Sequence, residues 1–152
     1  MKRLNIVAAL LFAVAGGGVA AAGMSTNAAA AEKVLKFKLV TVFIGEKDGE
    51  RHIMGVTVFP DGRLGTKDFF DKPGAGDAGS GRSTYYFDNG SIEATYTDTC
   101  PAGHCQGKYV IVSGTGEYQG ATGTGTFDGV IGKASPLKNA GLLNVELNVK
   151  MP

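Results

Sequence analysis

Apolar and polar residues alternate near both ends of the chain beyond residue 32. Near the start, the run Leu-Lys-Phe-Lys-Leu at 35–39 alternates apolar with basic residues, and near the end Val-Glu-Leu-Asn-Val at 145–149 alternates apolar with polar residues. A period of two residues is typical of a strand with one buried face. Because no stretch of a dozen residues carries a clean set of apolar residues at helical spacing, this part of the chain is predicted to be all-β.

The dipeptide Asn89-Gly90 lies between two β-prone runs and is the strongest short signal for a hairpin. A two-residue loop at these positions pairs Phe87 with Ile92. The loop fixes the register of both strands, and with it the residues that share a face. The sequence therefore predicts one hairpin centred on these two residues.

A second turn at 101–104 predicts a third strand. It places Cys100 opposite Cys105 and, further along the ladder, Tyr96 opposite Tyr109. The two turns agree on which residues share a face, although each sets its register independently. That shared apolar face consists of Tyr85, Phe87, Ile92, Ala94, Tyr96, Tyr109 and Ile111. A three-stranded meander with an aromatic inner face is predicted.

Glycine-rich stretches occur on both sides of this meander. The stretch 71–81 offers nothing apolar to bury and is predicted to be a mobile surface loop. The run Gly-Thr-Gly at 114–116 recurs nine residues later at 123–125. A nucleotide loop needs G-x-G-x-x-G before a helix, and calcium repeats need an aspartate in each of several copies, whereas here only Asp128 qualifies. The repeat is therefore predicted to serve close backbone approach in a curved sheet.

The segment Val-Ser-Gly-Thr-Gly-Glu-Tyr-Gln-Gly-Ala-Thr-Gly at 112–123 resembles the signature G-T-G-x-[FY]-x-x-A-x-G. Dirigent proteins, allene oxide cyclases and their bacterial barrel relatives share that signature, and the resemblance extends over about 85–129. It implies a small antiparallel eight-stranded barrel of the calycin type with a ligand-sized interior. A lipocalin-like barrel or a β-sandwich is the alternative. No catalytic residue of the plant enzymes aligns with this chain, so none is transferred.

The first 31 residues have the layout of a secretory signal. Lys2 and Arg3 are basic, the stretch 6–24 carries no charge, and Ala29-Ala30-Ala31 provides a small-residue exit. Cleavage is predicted just before Glu32, which leaves 32–152 as a single domain that is secreted or periplasmic. The alternative is a membrane anchor that is retained, but the stretch is rich in glycine and weakly hydrophobic for a full span.

The charge of the mature chain excludes one class of partner. Without Lys2 and Arg3, the 15 basic residues fall to 13 against 14 acidic ones, a net charge of −1. Nucleic-acid binding depends on a surplus of basic residues that displace counterions, so no nucleic acid is predicted as a partner. No membrane association is expected after cleavage, and the sequence does not predict an oligomeric state.

Two cysteines in an exported chain usually form a disulfide. Cys100 and Cys105 lie opposite one another in the predicted ladder, at the separation that a disulfide bond requires. The alternative is a metal site in which His104, with His52 as a remote fourth ligand, joins both thiolates. Zinc sites more often use cysteines separated by two residues. The sequence therefore predicts a disulfide and no metal.

The aromatic inner face provides the candidate binding site. Tyrosine hydroxyls need partners when buried, so a face rich in tyrosine favours a cavity over a solid core. Asp98 lies on the same face, where burial would raise its pKa. The predicted ligand-binding residues are Tyr85, Phe87, Tyr96, Asp98 and Tyr109.

Three functions are compatible with such a barrel. The first is binding of a small apolar or phenolic molecule without a cofactor. The second is a cyclase or isomerase that works by positioning a reactive substrate. The third is a filled barrel with a structural or interaction role. The volume of the cavity separates the third from the other two, and turnover of a bound ligand separates the second from the first.

Overall fold

The computed structural model describes residues 31–134 and 137–152, so the predicted signal peptide lies outside the described residues except for Ala31. Eight antiparallel strands form a closed barrel in which each strand pairs with the next and the last pairs with the first. The strands are β1 Glu32–Lys47, β2 Glu50–Val58, β3 Leu64–Pro73, β4 Ala78–Phe87, β5 Gly90–Thr99, β6 His104–Gly116, β7 Thr122–Ala134 and β8 Leu137–Lys150. The predicted all-β, eight-stranded antiparallel barrel is confirmed.

A single turn of 3-10 helix, Pro101–Gly103, connects β5 to β6. No helix within the described ranges is long and apolar enough to cross a membrane. The ladder between β5 and β6 pairs Tyr96 with Tyr109 and Ala94 with Ile111, as the turn at 101–104 predicts. Beyond Ala94 a β-bulge shifts the register.

The β4–β5 hairpin has a different loop from the predicted one. Phe87 pairs with Gly90 rather than with Ile92, so Asp88 and Asn89 form the turn. Gly90 has φ +147°, and a Cβ there would collide with the carbonyl oxygen of Thr115 on β6. The absence of a side chain at Gly90 therefore allows β5 and β6 to approach closely, and Gly90 is not part of the turn. The observed partner of Phe87 differs from the predicted one by two residues. Since side chains alternate with a period of two, those of β4 and β5 stay on their predicted faces.

The predicted loop over 71–81 is wrong. Strand β3 continues to Pro73 and β4 begins at Ala78, so only residues 74–77 connect them. Asp71, at the proposed start of the loop, is only 4% exposed. The glycines of this segment belong to a strand, and the candidate site below shows why that strand needs them.

Aromatic rings fill one end of the barrel, which we call the packed end. The Phe37 ring lies 5.1 Å from Phe59 and 6.1 Å from Phe87, measured between centroids, and Phe87 lies 5.8 Å from Tyr118. Tyr118 belongs to the glycine-rich segment between β6 and β7 and is 2% exposed. The segment thus carries a buried ring across this end, which is a structural role.

Candidate ligand-binding site

A cavity of about 180 Å³ occupies the other end of the barrel, which we call the cavity end. This end carries the β1–β2, β3–β4 and β5–β6 connections. Its apolar lining comes mainly from Phe43, Ile53, Phe69, Phe127, Ile131 and Leu143. Its polar lining includes Arg51, Lys67, Asp71, Tyr96, Asp98 and Tyr109. The result is a mostly apolar chamber with a few polar groups that converge on it, as in many small-molecule sites.

The predicted site residues divide between the two ends of the barrel. Tyr96, Asp98 and Tyr109 line the cavity. Tyr85 is fully buried behind it, with its ring centroid 5.9 Å from Tyr109 on one side and 5.4 Å from Phe37 on the other. Phe87 belongs to the packed end. The predicted aromatic face is therefore one continuous layer, of which only half borders the cavity.

Lys67, which the sequence analysis does not single out, is the central polar residue of the cavity. It lies on β3, is 2% exposed, and its Nζ donates a hydrogen bond to the Tyr109 hydroxyl at 2.7 Å. Burial lowers the pKa of Lys67 to about 7, although the negative charges of Asp98 and Asp71 act in the opposite direction. At neutral pH the side chain therefore exchanges readily between ammonium and free amine.

Four aromatic rings surround the Lys67 nitrogen. Their centroids lie 4.2 Å away for Phe69, 4.9 Å for Tyr85, 5.3 Å for Tyr96 and 4.8 Å for Tyr109. Ring faces attract a cation and partly compensate for the water that the ammonium loses. This cage holds the nitrogen at a fixed position beside the cavity.

A second set of polar side chains, formed by Tyr96, Asp71 and Arg51, lines the cavity. The Tyr96 hydroxyl donates a hydrogen bond to Asp71 Oδ1 at 3.1 Å, and the other oxygen of Asp71 pairs with the Arg51 guanidinium. Burial and the adjacent Asp71 charge raise the pKa of Tyr96, so its phenol stays protonated. Asp98 is half-buried, and burial followed by repulsion from Asp71 raises its pKa as well. The Asp98 carboxyl group therefore holds a proton at a higher pH than an exposed aspartate does.

Two glycines of β4 create the space for this cluster. A Cβ at Gly81 would lie 2.6 Å from the Tyr96 hydroxyl oxygen and would collide with the carbonyl oxygen of Phe70. A Cβ at Gly79 would collide with Asp98 and lie 3.2 Å from Asp71 Oδ1. The side chains of β5 therefore cross over β4 to reach β3. The glycine-rich part of β4, which resembles a loop in sequence, thus lies directly beneath the side chains of the polar cluster.

The Cys100–Cys105 disulfide is present and borders the cavity, which confirms the predicted pairing. Both thiols are consumed, so the alternative metal site built on them is wrong. The remote ligand of that site, His52, lies on the outer face of the sheet. Its Nε2 is 2.5 Å from Asp68 Oδ1, and its ring stacks on Phe70 at 4.7 Å.

A solved structure of a pterocarpan synthase dirigent protein is similar to this barrel, with a TM-score of 0.57 and 12% sequence identity. The similarity covers 80% of this chain and 86% of that chain. At such an identity the similarity concerns the fold alone, and it makes the chain a dirigent-like barrel in architecture. No protein-family profile matches the chain, and no curated protein sequence matches it.

Proposed function

We propose that this protein is an exported barrel that binds a small aromatic or phenolic molecule in the cavity. The observation that carries the proposal is the cavity of about 180 Å³, with its apolar walls and its cluster of polar side chains. An apolar protein cavity of about 150 Å³ holds a benzene molecule, whereas sites for drug-sized ligands span roughly 300–1,000 Å³. The volume therefore favours a ligand with one ring over an extended polyene.

The lining supports one orientation of such a ligand. Phe127 and Leu143 provide apolar contacts for the ring, while Lys67, Tyr96 and Asp98 provide a donor, a hydroxyl and a carboxyl group at the polar side. A phenol directs its hydroxyl group towards these residues and leaves its ring among the apolar walls. A purely aliphatic ligand would cover the cavity side of this cluster without forming a hydrogen bond to it, and loss of hydrogen bonding to water at polar groups is costly.

A second candidate is an enzyme that positions a reactive substrate in the same cavity. The observation in its favour is that Asp98 and Lys67, with pKa values displaced in opposite directions, line one chamber. A carboxyl group and an amine with pKa values displaced in these directions can act as a general acid and a general base. Turnover of the bound molecule distinguishes this candidate from simple binding. A filled barrel is disfavoured, since the cavity end contains empty space.

Export fits the disulfide, which forms and persists in oxidising compartments. We place the mature protein, 32–152, in the periplasm or outside the cell. Purification from its own host should therefore start from the exported fraction. Native mass spectrometry of that material tests directly whether a small molecule co-purifies.

A titration with 4-methylphenol tests the site itself. The variant Ile53→Trp enlarges a side chain that lines the cavity, and Ile44→Trp makes the same change on the exposed outer surface. We expect Ile53→Trp to abolish binding measured by calorimetry and Ile44→Trp to retain it. Equal binding by both variants, or no binding by the unaltered protein of any single-ring phenol, would contradict the proposed function.

A further inference from the structure

We propose that Lys67 captures small aromatic aldehydes or ketones in the cavity as a reversible imine. This inference rests on the proposed function, because the carbonyl compound must first occupy the cavity. It adds a covalent step and a substrate class to that site. The inference depends on the Lys67 amine at the centre of the aromatic cage.

The position of Lys67 suits a nucleophile better than a structural ion. Its nitrogen lies beside the cavity, and its hydrogen bond goes to the neutral Tyr109 hydroxyl at 2.7 Å. Within the described parts of the chain it forms no ion pair with a carboxylate. A lysine that is buried without a salt bridge spends more of its time as the free amine, which is the reactive form.

The surroundings of Lys67 contain the other groups that an imine requires. Asp98 on β5 and Asp71 on β3 are the acidic groups that face it, and Arg51 on β2 neutralises Asp71. The phenols of Tyr96 and Tyr109 complete the set of titratable neighbours in the cavity. Because burial raises the pKa of Asp98, that carboxyl group holds a proton at a higher pH than an exposed aspartate does. It is the proton donor for the dehydration step.

The chemistry balances without any further reactant. The nitrogen lone pair of Lys67 forms a bond to the carbonyl carbon, and the π electrons of the carbonyl group move to oxygen, which takes up the proton lost by nitrogen. The resulting carbinolamine carries a hydroxyl group. Asp98 then protonates that hydroxyl group, the carbon–oxygen bond breaks, and water leaves as the nitrogen lone pair forms the carbon–nitrogen double bond. The resulting iminium nitrogen gives its proton to the Asp98 carboxylate, which yields the neutral imine and restores the acid. Addition of water reverses every step, so the bound carbonyl compound is released unchanged.

Reductive trapping with 4-hydroxybenzaldehyde tests this inference. The purified protein is incubated with the aldehyde and sodium cyanoborohydride at pH 7, and any imine becomes a stable secondary amine. We expect intact-mass analysis to show one hydroxybenzyl group per chain and peptide mapping to place it on Lys67. Labelling at Lys67 should exceed labelling at the exposed Lys108 by about tenfold or more, because burial lowers the pKa of Lys67 to about 7 and leaves much of it as the reactive free amine.

Two variants at position 67, one control variant and one ligand complete the test. Lys67→Met and Lys67→Arg should both lose the adduct, whereas Lys108→Met should retain it. An adduct that is spread over surface lysines, or one that survives both substitutions at position 67, overturns the inference. If the protein binds 4-methylphenol but the aldehyde gives no adduct, the imine is wrong and the binding function stands. If neither compound binds, the proposed function fails as well.

Discussion

The Tyr96 hydroxyl reaches Asp71 Oδ1 at 3.1 Å by crossing an intervening strand at Gly81. Asp71 pairs with Gly81 in the sheet, and Gly81 pairs in turn with Tyr96. The hydrogen bond therefore joins two strands that are not neighbours, and it exists only because the residue between them has no side chain. The contact between Tyr96 and Asp71 in the polar cluster depends on the missing Cβ at Gly81.

Substitution of Gly81 by alanine should destabilise the protein by about 2 kcal/mol, as expected for a group forced into a filled space. The added Cβ meets the backbone carbonyl oxygen of Phe70, which cannot move aside without disturbing β3. Gly45→Ala is the matched control, because no atom lies within 4 Å of a Cβ placed there. Urea unfolding of both variants measures the difference. A Gly81→Ala protein as stable as the control would show that Tyr96 does not require this space.

Lys67 makes stability depend on pH in a predictable direction. Its pKa is about 7 in the folded protein against 10.5 ordinarily, so between these values the unfolded chain binds more protons. The free energy of unfolding should therefore rise with pH, by up to about 1.4 kcal/mol per unit. The destabilisation caused by burial of the Lys67 amine is fully present below pH 7 and decreases as the pH rises above 7.

Lys67→Met should remove this dependence and raise stability at pH 7, since it replaces a buried amine by an apolar side chain of similar length. Urea unfolding at pH 7 and pH 9 measures both effects. Higher pH is avoided because burial also raises the pKa of Tyr96 and Tyr109, which reverses the slope once tyrosines of the unfolded chain ionise. Identical slopes for the variant and the original protein would contradict the assignment.

The Tyr109 hydroxyl should contribute to stability through Lys67. Tyr109→Phe leaves the Lys67 nitrogen without its acceptor, and we expect a loss of about 1–3 kcal/mol. The loss should be larger at pH 6, where the ammonium form dominates, than at pH 9. Tyr86→Phe removes a hydroxyl group from a ring that is 49% exposed on the outer surface, and it should cost almost nothing. A pH-independent loss at Tyr109 would show that another group satisfies Lys67.

The disulfide should contribute modestly to stability. Replacement of Cys100 and Cys105 together by serine should cost about 2 kcal/mol, because the loop that the bond closes is short. Thermal unfolding of the double variant measures this cost. The native protein, denatured without reductant, should expose no titratable thiol. One equivalent or more of free thiol would mean that the exported protein is not oxidised.

Export should remove the first 31 residues. The uncharged apolar segment ends in Ala29-Ala30-Ala31, so the mature chain is expected to start at Glu32. Amino-terminal sequencing of protein from the periplasm or the culture medium checks the position. A full-length chain that stays in the membrane fraction would support the anchor alternative.

The inner aromatic face is predictable because residues alternate around Tyr96 and the turn at 101–104 places Tyr109 opposite it, although Val110 and Val112 make β6 apolar on both faces. In β3 the signal is ambiguous, since Phe69 and Phe70 are adjacent and either could face inwards. Lys67 shares its face with Phe69, and a lysine at an inward position is rare enough that sequence patterns favour the opposite assignment. Nothing in the pattern identifies which of the two phenylalanines is buried.

The glycines of β4 mislead for a different reason. Glycine is depleted in strands and enriched in turns, and the segment around Gly79 and Gly81 has no apolar residue to mark a buried face. The space these glycines provide is used by Asp98 and Tyr96, which lie on the next strand. Because the side chains that need this space lie on β5, the sequence of β4 alone does not show why its glycines are there. The site could therefore be predicted only in part.

The pairing of β1 with β8 joins Glu32 to Lys150, and this has a kinetic consequence. Contacts between residues so distant in sequence form slowly, because the intervening chain must lose conformational entropy before these contacts stabilise it. The first strand pairs with β2 on one side, but it lacks its second partner until the last strand has been synthesised. For the exported chain that we propose, the barrel closes only after the last strand has crossed the membrane, whereas the aromatic cage of Lys67 is built from β3 to β6 alone.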